Sequence, residues 1–367
     1  MESRQNISRR LAEYLEQRKI KNFLITNLTN IKYLTGFTGS SAYLLLNNGK
    51  QFLFTDFRYK EQSSKEVQNA NIIITKKDHL KYIVNFMKIL GIKETAVEDT
   101  IIYRTFEKLS KELNVTSQKE IIENLRSIKE KEEIECLKKA VLKAQKAFIK
   151  IKDNIKEGTS EKQIALKLEE SLKKEGTYKL PFEVIVASGA NSSLPHAKPT
   201  EKEIEKGDLV IIDWGGEHNG YFSDMTRTFL INGPNIERKK EIYNTVLQAN
   251  IKARQNMKKG MTTSEIDSLA RNQIKEKGYG DFFGHGLGHG VGLDIHELPY
   301  ISQNSTETTL DNAMVFTVEP GIYIPSLGGV RIEDMVVLLN DKPNTLTDLP
   351  RDLEVIPTTG GYIDSNK

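Results

Sequence analysis

The sequence holds a single cysteine, Cys136, in 367 residues. An internal disulfide and a thiolate metal site are thereby excluded, and a reducing compartment is the expected setting. No uninterrupted apolar run approaches the roughly 18 residues that a membrane span needs, so no membrane partner is expected. The opening stretch MESRQNISRRLAEYL is polar and lacks the apolar core of a secretory signal, which points to the cytoplasm. Basic charge is not in excess either: 53 Lys and Arg stand against 50 Asp and Glu, a net +3. Phosphate backbones are held through a strong basic excess or patch, so nucleic acid is not an expected partner. A Gly-x-Ser-x-Gly elbow is absent and Cys136 falls inside an amphipathic helical pattern, which leaves a covalent nucleophile with little support.

What is present is the composition of a soluble globular protein, 38% hydrophobic and 28% charged, long enough for two or three domains. Up to about residue 120, short apolar runs at Phe23–Ile25, Tyr43–Leu46, Phe52–Phe54 and Ile72–Ile74 predict strands, and His79–Leu90 predicts a helix. This is a small α/β domain. Ser127-x-x-Glu130 then reads as a capping box, followed by Ile134, Leu137, Val141, Ala144, Phe148 and Ile151 at helical spacing. The boundary is placed just before it, giving domains 1–126 and 127–367. Further helices are predicted after Ser160-x-x-Gln163, through Ile242 to Met257, and through Ile266 to Ile274. Strands are predicted at Glu183–Ala187, Leu209–Trp214, Thr226–Ile231, Met314–Val318 and Val330–Leu339. The second domain is therefore expected to be α+β with a largely antiparallel sheet.

Acidic residues fall in two hairpin-like pairs. A two-residue turn at His218-Asn219 sets Asp213 directly opposite Asp224, at a Cβ separation of about 5 Å. Like charges so placed repel unless a cation lies between them, although two exposed strand-end aspartates would give the same pattern. Glu319 and Glu333 flank a turn-rich centre near Ser326 and oppose each other in the same way. Arg331 shares a face with Glu333 by the period of two and is expected to orient a carboxylate. Three of six histidines, His285, His289 and His296, lie in Gly284-His-Gly-Leu-Gly-His-Gly-Val-Gly-Leu-Asp-Ile-His296. The glycines oppose the helix of a zinc protease, and no frame completes a dinucleotide fingerprint, so the cluster belongs on loop and strand. His196 is a fourth candidate, while His79 and His218 read as surface or turn residues. Four carboxylates and an imidazole suit divalent ions: oxygen ligands fit Mn²⁺ or Mg²⁺, and a histidine admits Co²⁺, Zn²⁺ or Fe²⁺. Without metal, ionised carboxylates about 4 Å apart would cost on the order of 4 kcal/mol per pair at an effective dielectric of about 20.

The ordered set Asp213, Asp224, His289, Glu319 and Glu333 lies within DWGGEHNGYFSDMTRTF, GHGLGHGVGLDIHE, TVEPGIY and GVRIED. In these motifs the chain resembles the M24 metallopeptidases of pita-bread fold, which include methionine aminopeptidase, aminopeptidase P and prolidase. Through Tyr33–Ser40 and Leu53–Tyr59 the first domain resembles the creatinase/aminopeptidase P N-terminal domain. The resemblance implies two divalent ions, Mn²⁺ foremost. It implies that Asp224 and Glu333 bridge them, that His289 and Glu319 complete one and that Asp213 chelates the other. Glu319 is implied as proton shuttle, His196 and His296 as catalytic, and His285, Tyr323 and Arg331 as supports behind the ligands. A homodimer is implied, in which the N-terminal domain helps wall the partner's active site. The expected activity is that of an Xaa-Pro aminopeptidase acting on peptides with proline second. An Xaa-Pro dipeptidase and a non-catalytic peptide-binding protein are the alternatives. No Lys or Arg lies between Lys277 and Arg331 to hold a dipeptide's free carboxylate, which favours the aminopeptidase.

Overall fold

Short β-branched and aromatic runs pair into a mixed sheet between residues 22 and 118 of the computed structural model, which describes residues 2–358 except 77, 235, 306 and 307. The chain divides into two units between Arg126 and Ser127. In the first, β1 (Asn22–Ile25), β2 (Ala42–Asn47), β3 (Lys50–Asp56), β4 (Asn71–Thr75), β5 (Glu94–Glu98) and β6 (Asn114–Gln118) lie in the order β4-β3-β2-β1-β5-β6. Helices α1 (Glu2–Gln17), α2 (Leu28–Thr35), α3 (Lys60–Glu66), α4 (His79–Ile89), α5 (Tyr103–Ser110) and α6 (Ile121–Ser127) precede, connect and follow the strands. The outer pairs are parallel and the β1-β2-β3 meander antiparallel, the α/β arrangement expected. Leu24, Leu45 and Phe54 of the sheet pack on Ile83 and Met87 of α4. His79 is not a plain surface residue: Nδ1 meets the Thr75 hydroxyl at 2.5 Å and Nε2 lies 3.6 Å from Asp56.

In the second unit, helices α7 (Lys131–Ile151), α8 (Glu161–Lys174), α9 (Glu237–Asn256) and α10 (Thr263–Glu276) enclose antiparallel sheets. One sheet runs β19 (Val355–Ile356), β11 (Met225–Ile231), β8 (Leu209–Trp214), β7 (Ile185–Ser188), with only β19 parallel to its neighbour. The other runs β13 (Glu297–Ile301), β12 (Gly288–Gly290), β14 (Val315–Val318), β17 (Asp334–Leu339), β18 (Lys342–Thr345). Two hairpins complete it, β9 (Glu217–His218) with β10 (Tyr221–Phe222) and β15 (Gly321–Ile324) with β16 (Gly328–Arg331). Strand β17 shows how the layers are built. Met335 and Val337 join Leu137, Phe148 and Leu168 of α7 and α8 in one core, whereas Val336 and Leu338 join Val246, Ile266 and Ala270 of α9 and α10 in another. Alternate side chains thus face opposite helix layers, and the strand reads as a continuous apolar run because both faces are buried.

Three local expectations are corrected. Ser127 ends α6, and the capping box of α7 is formed by Glu130 and Glu133 instead, because Ile128 is drawn into a bridge with Met314 before the helix can start. The stretch Val330–Leu339 is two strands separated at Ile332 and Glu333. Glu183 and Val184 precede β7, which begins at Ile185.

Candidate metal centre

The expected turn at His218-Asn219 is one residue early. Tyr221 pairs with His218 and Phe222 with Glu217, so the turn is Asn219-Gly220, with φ of 54° and 83°. Positive φ at both central positions is what Asn-Gly accommodates and a tight hairpin requires. Asp213 therefore pairs with Thr226, and Asp224 lies two residues further along the same face, a diagonal rather than a direct neighbour. The second hairpin has the register expected: Val318 pairs with Asp334 and Gly321 with Arg331, which leaves Glu319 and Glu333 opposed across the gap between the two ladders.

Strand β12 inserts His289 between these carboxylates. Its flanking glycines permit the close approach, since a Cβ on Gly288 would lie 2.0 Å from the Thr317 carbonyl oxygen and one on Gly290 2.1 Å from that of Leu298. His289 Nδ1 lies 3.1 Å from the Gly290 carbonyl, an acceptor only, so Nδ1 carries the proton and Nε2 presents its lone pair. That nitrogen is 3.6 Å from Asp224 Oδ2 and 3.5 Å from Glu319 Oε1. Burial lowers the His289 pKa and keeps the ring neutral, the form that ligates. Ligand atoms of Asp224, His289 and Glu333 lie within 4.8 Å of one another.

Hydroxyls and one guanidinium hold the acids in place. Thr226 Oγ1 donates to Glu333 Oε2 at 2.7 Å, and Thr317 Oγ1 to Glu319 Oε1 at 3.1 Å. Buried Arg331 donates to Asp213 Oδ2 at 2.6 Å, Tyr323 Oη at 2.9 Å, Thr226 Oγ1 at 3.0 Å and the Pro195 carbonyl at 3.2 Å. His285 Nδ1 donates to the Gly286 carbonyl at 2.7 Å, so its Nε2 accepts from Tyr323 Oη at 3.0 Å. Burial pushes the Tyr323 hydroxyl up to about 12, so it remains a donor.

The acids are poorly compensated. Burial, then Glu333, Asp213 and Glu319, push the Asp224 carboxyl well above its ordinary range, and burial, then Glu319 and Asp213, do the same to Glu333. Burial also raises Glu319. Asp213 Oδ1 and Asp224 Oδ1 are buried and accept no hydrogen bond. Orphaned carboxylate oxygens beside a neutral imidazole are the donor set of a divalent cation, and these residues fit one.

Every residue expected at the site is near it. His196, His285, His296, Tyr323 and Arg331 line one cavity of about 630 Å³ together with the five candidate ligands. His296 stacks obliquely on His289, ring centres 4.2 Å apart, and both His296 and His196 are exposed along the wall. The sequence reading passed over Thr226 and Thr317, although each stands two residues from a candidate ligand on the same strand face. It also passed over Lys198 and Tyr300, which line the cavity and carried no pattern.

Comparison with known proteins gives this geometry its context. The model of metallopeptidase family M24 matches residues 135–340, and that of the creatinase/prolidase N-terminal domain matches residues 8–128. An Xaa-Pro dipeptidase of Pyrococcus furiosus is 41% identical over 94% of this chain and 98% of its own. Among solved structures, an Xaa-Pro dipeptidase from Bacillus anthracis superposes with a TM-score of 0.92 at 37% identity, covering 96% of this chain and 100% of that one. An X-Pro aminopeptidase from Thermotoga maritima gives 0.84 at 37% identity, covering 92% and 98%.

Proposed function

The chain belongs to metallopeptidase family M24, and we propose that within it the protein is an Xaa-Pro dipeptidase. The observation that carries the peptidase chemistry is the buried set of Asp213, Asp224, His289 and Glu333, with orphaned oxygens on Asp213 and Asp224, beside the partly exposed Glu319. We assign two divalent ions to it, Mn²⁺ foremost, with Asp224 and Glu333 shared, His289 and Glu319 on one ion and Asp213 on the other. Ions held there would polarise the scissile carbonyl and acidify a water. The half-buried Glu319 carboxylate would take the proton from that water and return it to the leaving nitrogen. Its contact with Thr317 fixes one oxygen, and the residue lines the cavity. His296 and His196 on the cavity wall donate to the substrate around the scissile bond, and the chain Arg331, Tyr323, His285 holds Asp213 and shapes the floor. Proline substrates justify a dedicated enzyme, because the tertiary amide offers no N–H for ordinary proteases to grip.

The choice of dipeptidase departs from the aminopeptidase expected from sequence and follows the names of the relatives with 41% and 37% identity. Lys198 supports it. Residues 278–330 bring no cation, but Lys198 of the loop 195–199 lines the cavity, exposed and 3.2 Å from Glu183, and a dipeptide carboxylate would compete with Glu183 for its ammonium. The Thermotoga maritima likeness keeps the aminopeptidase as second reading. The two separate on kcat/KM for an Xaa-Pro dipeptide against the Xaa-Pro-Xaa tripeptide. The dipeptidase reading expects the dipeptide to be favoured, and a preference for the tripeptide would replace it with the aminopeptidase. We further propose that the protein works as a homodimer in a reducing compartment; light scattering showing an active monomer would overturn the dimer.

A further inference from the structure

The backbone ladder is interrupted where the two candidate glutamate ligands stand. Strands β14 and β17 pair as far as Val318 and Asp334, and β15 and β16 resume at Gly321 and Arg331. The peptide units that carry Glu319 and Glu333 are held from outside that ladder. The Glu319 N–H donates to the Leu287 carbonyl at 2.8 Å, and the Glu333 N–H donates to the Thr226 carbonyl at 3.1 Å. The carbonyls on the other side of the same two peptides, Val318 and Ile332, both accept from one side chain. Asn250 Nδ2, fully buried on α9, lies 3.1 Å from each. Its Oδ1 accepts from Arg254 Nε at 2.6 Å, and an arginine only donates, so the orientation of the amide is fixed by the network. Arg254 is in turn held by Asp334, the neighbour of Glu333, at 3.5 Å. Burial opposes the charge on Asp334, but Arg227 and Arg351 hold it at about 2.

We propose that Asn250 is a positioning residue that sets the separation of Glu319 and Glu333 by bridging the peptides that carry them, and so tunes the ion that Glu319 and His289 complete. The inference rests on the ligand assignment above. A single planar amide with two fixed donors cannot follow independent movement of the two strands, so the two carboxylates are held as a unit. An apolar residue of similar volume leaves both carbonyls buried without a donor, and each peptide is then free to rotate about its remaining N–H contact.

The test uses the full-length protein, stripped of metal and titrated with Co²⁺, whose visible absorption reports ligand geometry. In N250L the Co²⁺ equivalent that perturbs the His289 ring signal in NMR is expected to weaken about tenfold or more with an altered visible spectrum. The other equivalent changes less, and the metal-free melting temperature falls because two buried carbonyls lose their donor. R254Q, which releases the Asn250 amide but leaves it in place, is expected to show the same spectral change to a smaller degree. Wild-type Co²⁺ affinity and spectrum in N250L would overturn the proposal. So would equal weakening of both equivalents in step with the metal-free melt, which would make Asn250 merely structural. If the unaltered protein took up no Co²⁺, the ligand assignment itself would fall.

Discussion

Glu319 and Glu333 stand opposite each other in a single register shared by two ladders, at the gap where the ladder between them is interrupted. Two acids so placed in a buried site make sense only if something cationic completes them. Burial, and then the Asp213 charge, raise both carboxyls.

Asp224 is raised by the charges of Glu333, Asp213 and Glu319 after burial itself. Asp224→Asn removes a charge assigned to both ions while keeping the shape, and is expected to abolish stoichiometric metal binding together with hydrolysis. Metal analysis of the purified variant checks it; full metal content with normal turnover would refute the shared role.

Thr226 bonds to Glu333 and to Arg331 at once. Thr226→Val keeps the volume and deletes both bonds, and a loss of about 10- to 100-fold in metal affinity is expected. Isothermal titration with Mn²⁺ measures it, and an unchanged Kd would show that the hydroxyl does not orient the ligand.

Arg331 is buried and serves four acceptors in a fixed fork. Arg331→Lys preserves the charge but not that geometry, so a fall of about tenfold or more in kcat/KM is expected, with the fold retained. Activity within twofold of the unaltered protein would contradict the positioning assigned to the guanidinium.

The metal-free protein should show two opposed pH responses. A carboxyl whose folded pKa is raised favours folding while it is protonated, and that contribution disappears as pH rises through the folded value. Asp224, Glu319 and Glu333 are all raised, whereas His285, His289 and His296 are lowered by burial and oppose folding as pH falls. The carboxyl part is read by difference: metal-free Glu333→Gln should melt above the unaltered metal-free protein at neutral pH, and the gap should shrink as pH is lowered. Calorimetry of both proteins checks this, and a gap that is absent or widens on acidification would contradict the electrostatic account.

Lys198 should separate substrates. Lys198→Ala is expected to raise KM for Xaa-Pro several-fold while leaving Xaa-Pro-Xaa little changed, because the two substrates end their chains at different distances from that exposed ammonium. Equal effects on both would remove Lys198 from carboxylate recognition.

Legibility in the sequence followed locality. The Glu319–Glu333 pair was readable because a turn-rich centre near Ser326 and a period-two pattern lie within one short segment. The Asp213–Asp224 register was missed by two residues because the turn was placed one position early, on a signal that was present, since Asn219-Gly220 is the stronger hairpin dipeptide. The strand break at Ile332 and Glu333 was hidden because no glycine or proline marks it, the residues there being Arg331, Ile332, Glu333 and Asp334. Lys198 and Asn250 reach the site from separate loops and helices through tertiary packing, and no spacing rule connects Asn250 with the carbonyls it bridges. Thr226 and Thr317 lie between these cases: once the ligands are suspected, their two-residue offsets mark them.

The most direct test of the central claim is to follow Xaa-Pro hydrolysis while Mn²⁺ is titrated into exhaustively chelated protein. The five-residue centre predicts no turnover without metal and a recovery that saturates at two equivalents per chain. Undiminished hydrolysis in the metal-free protein would contradict it.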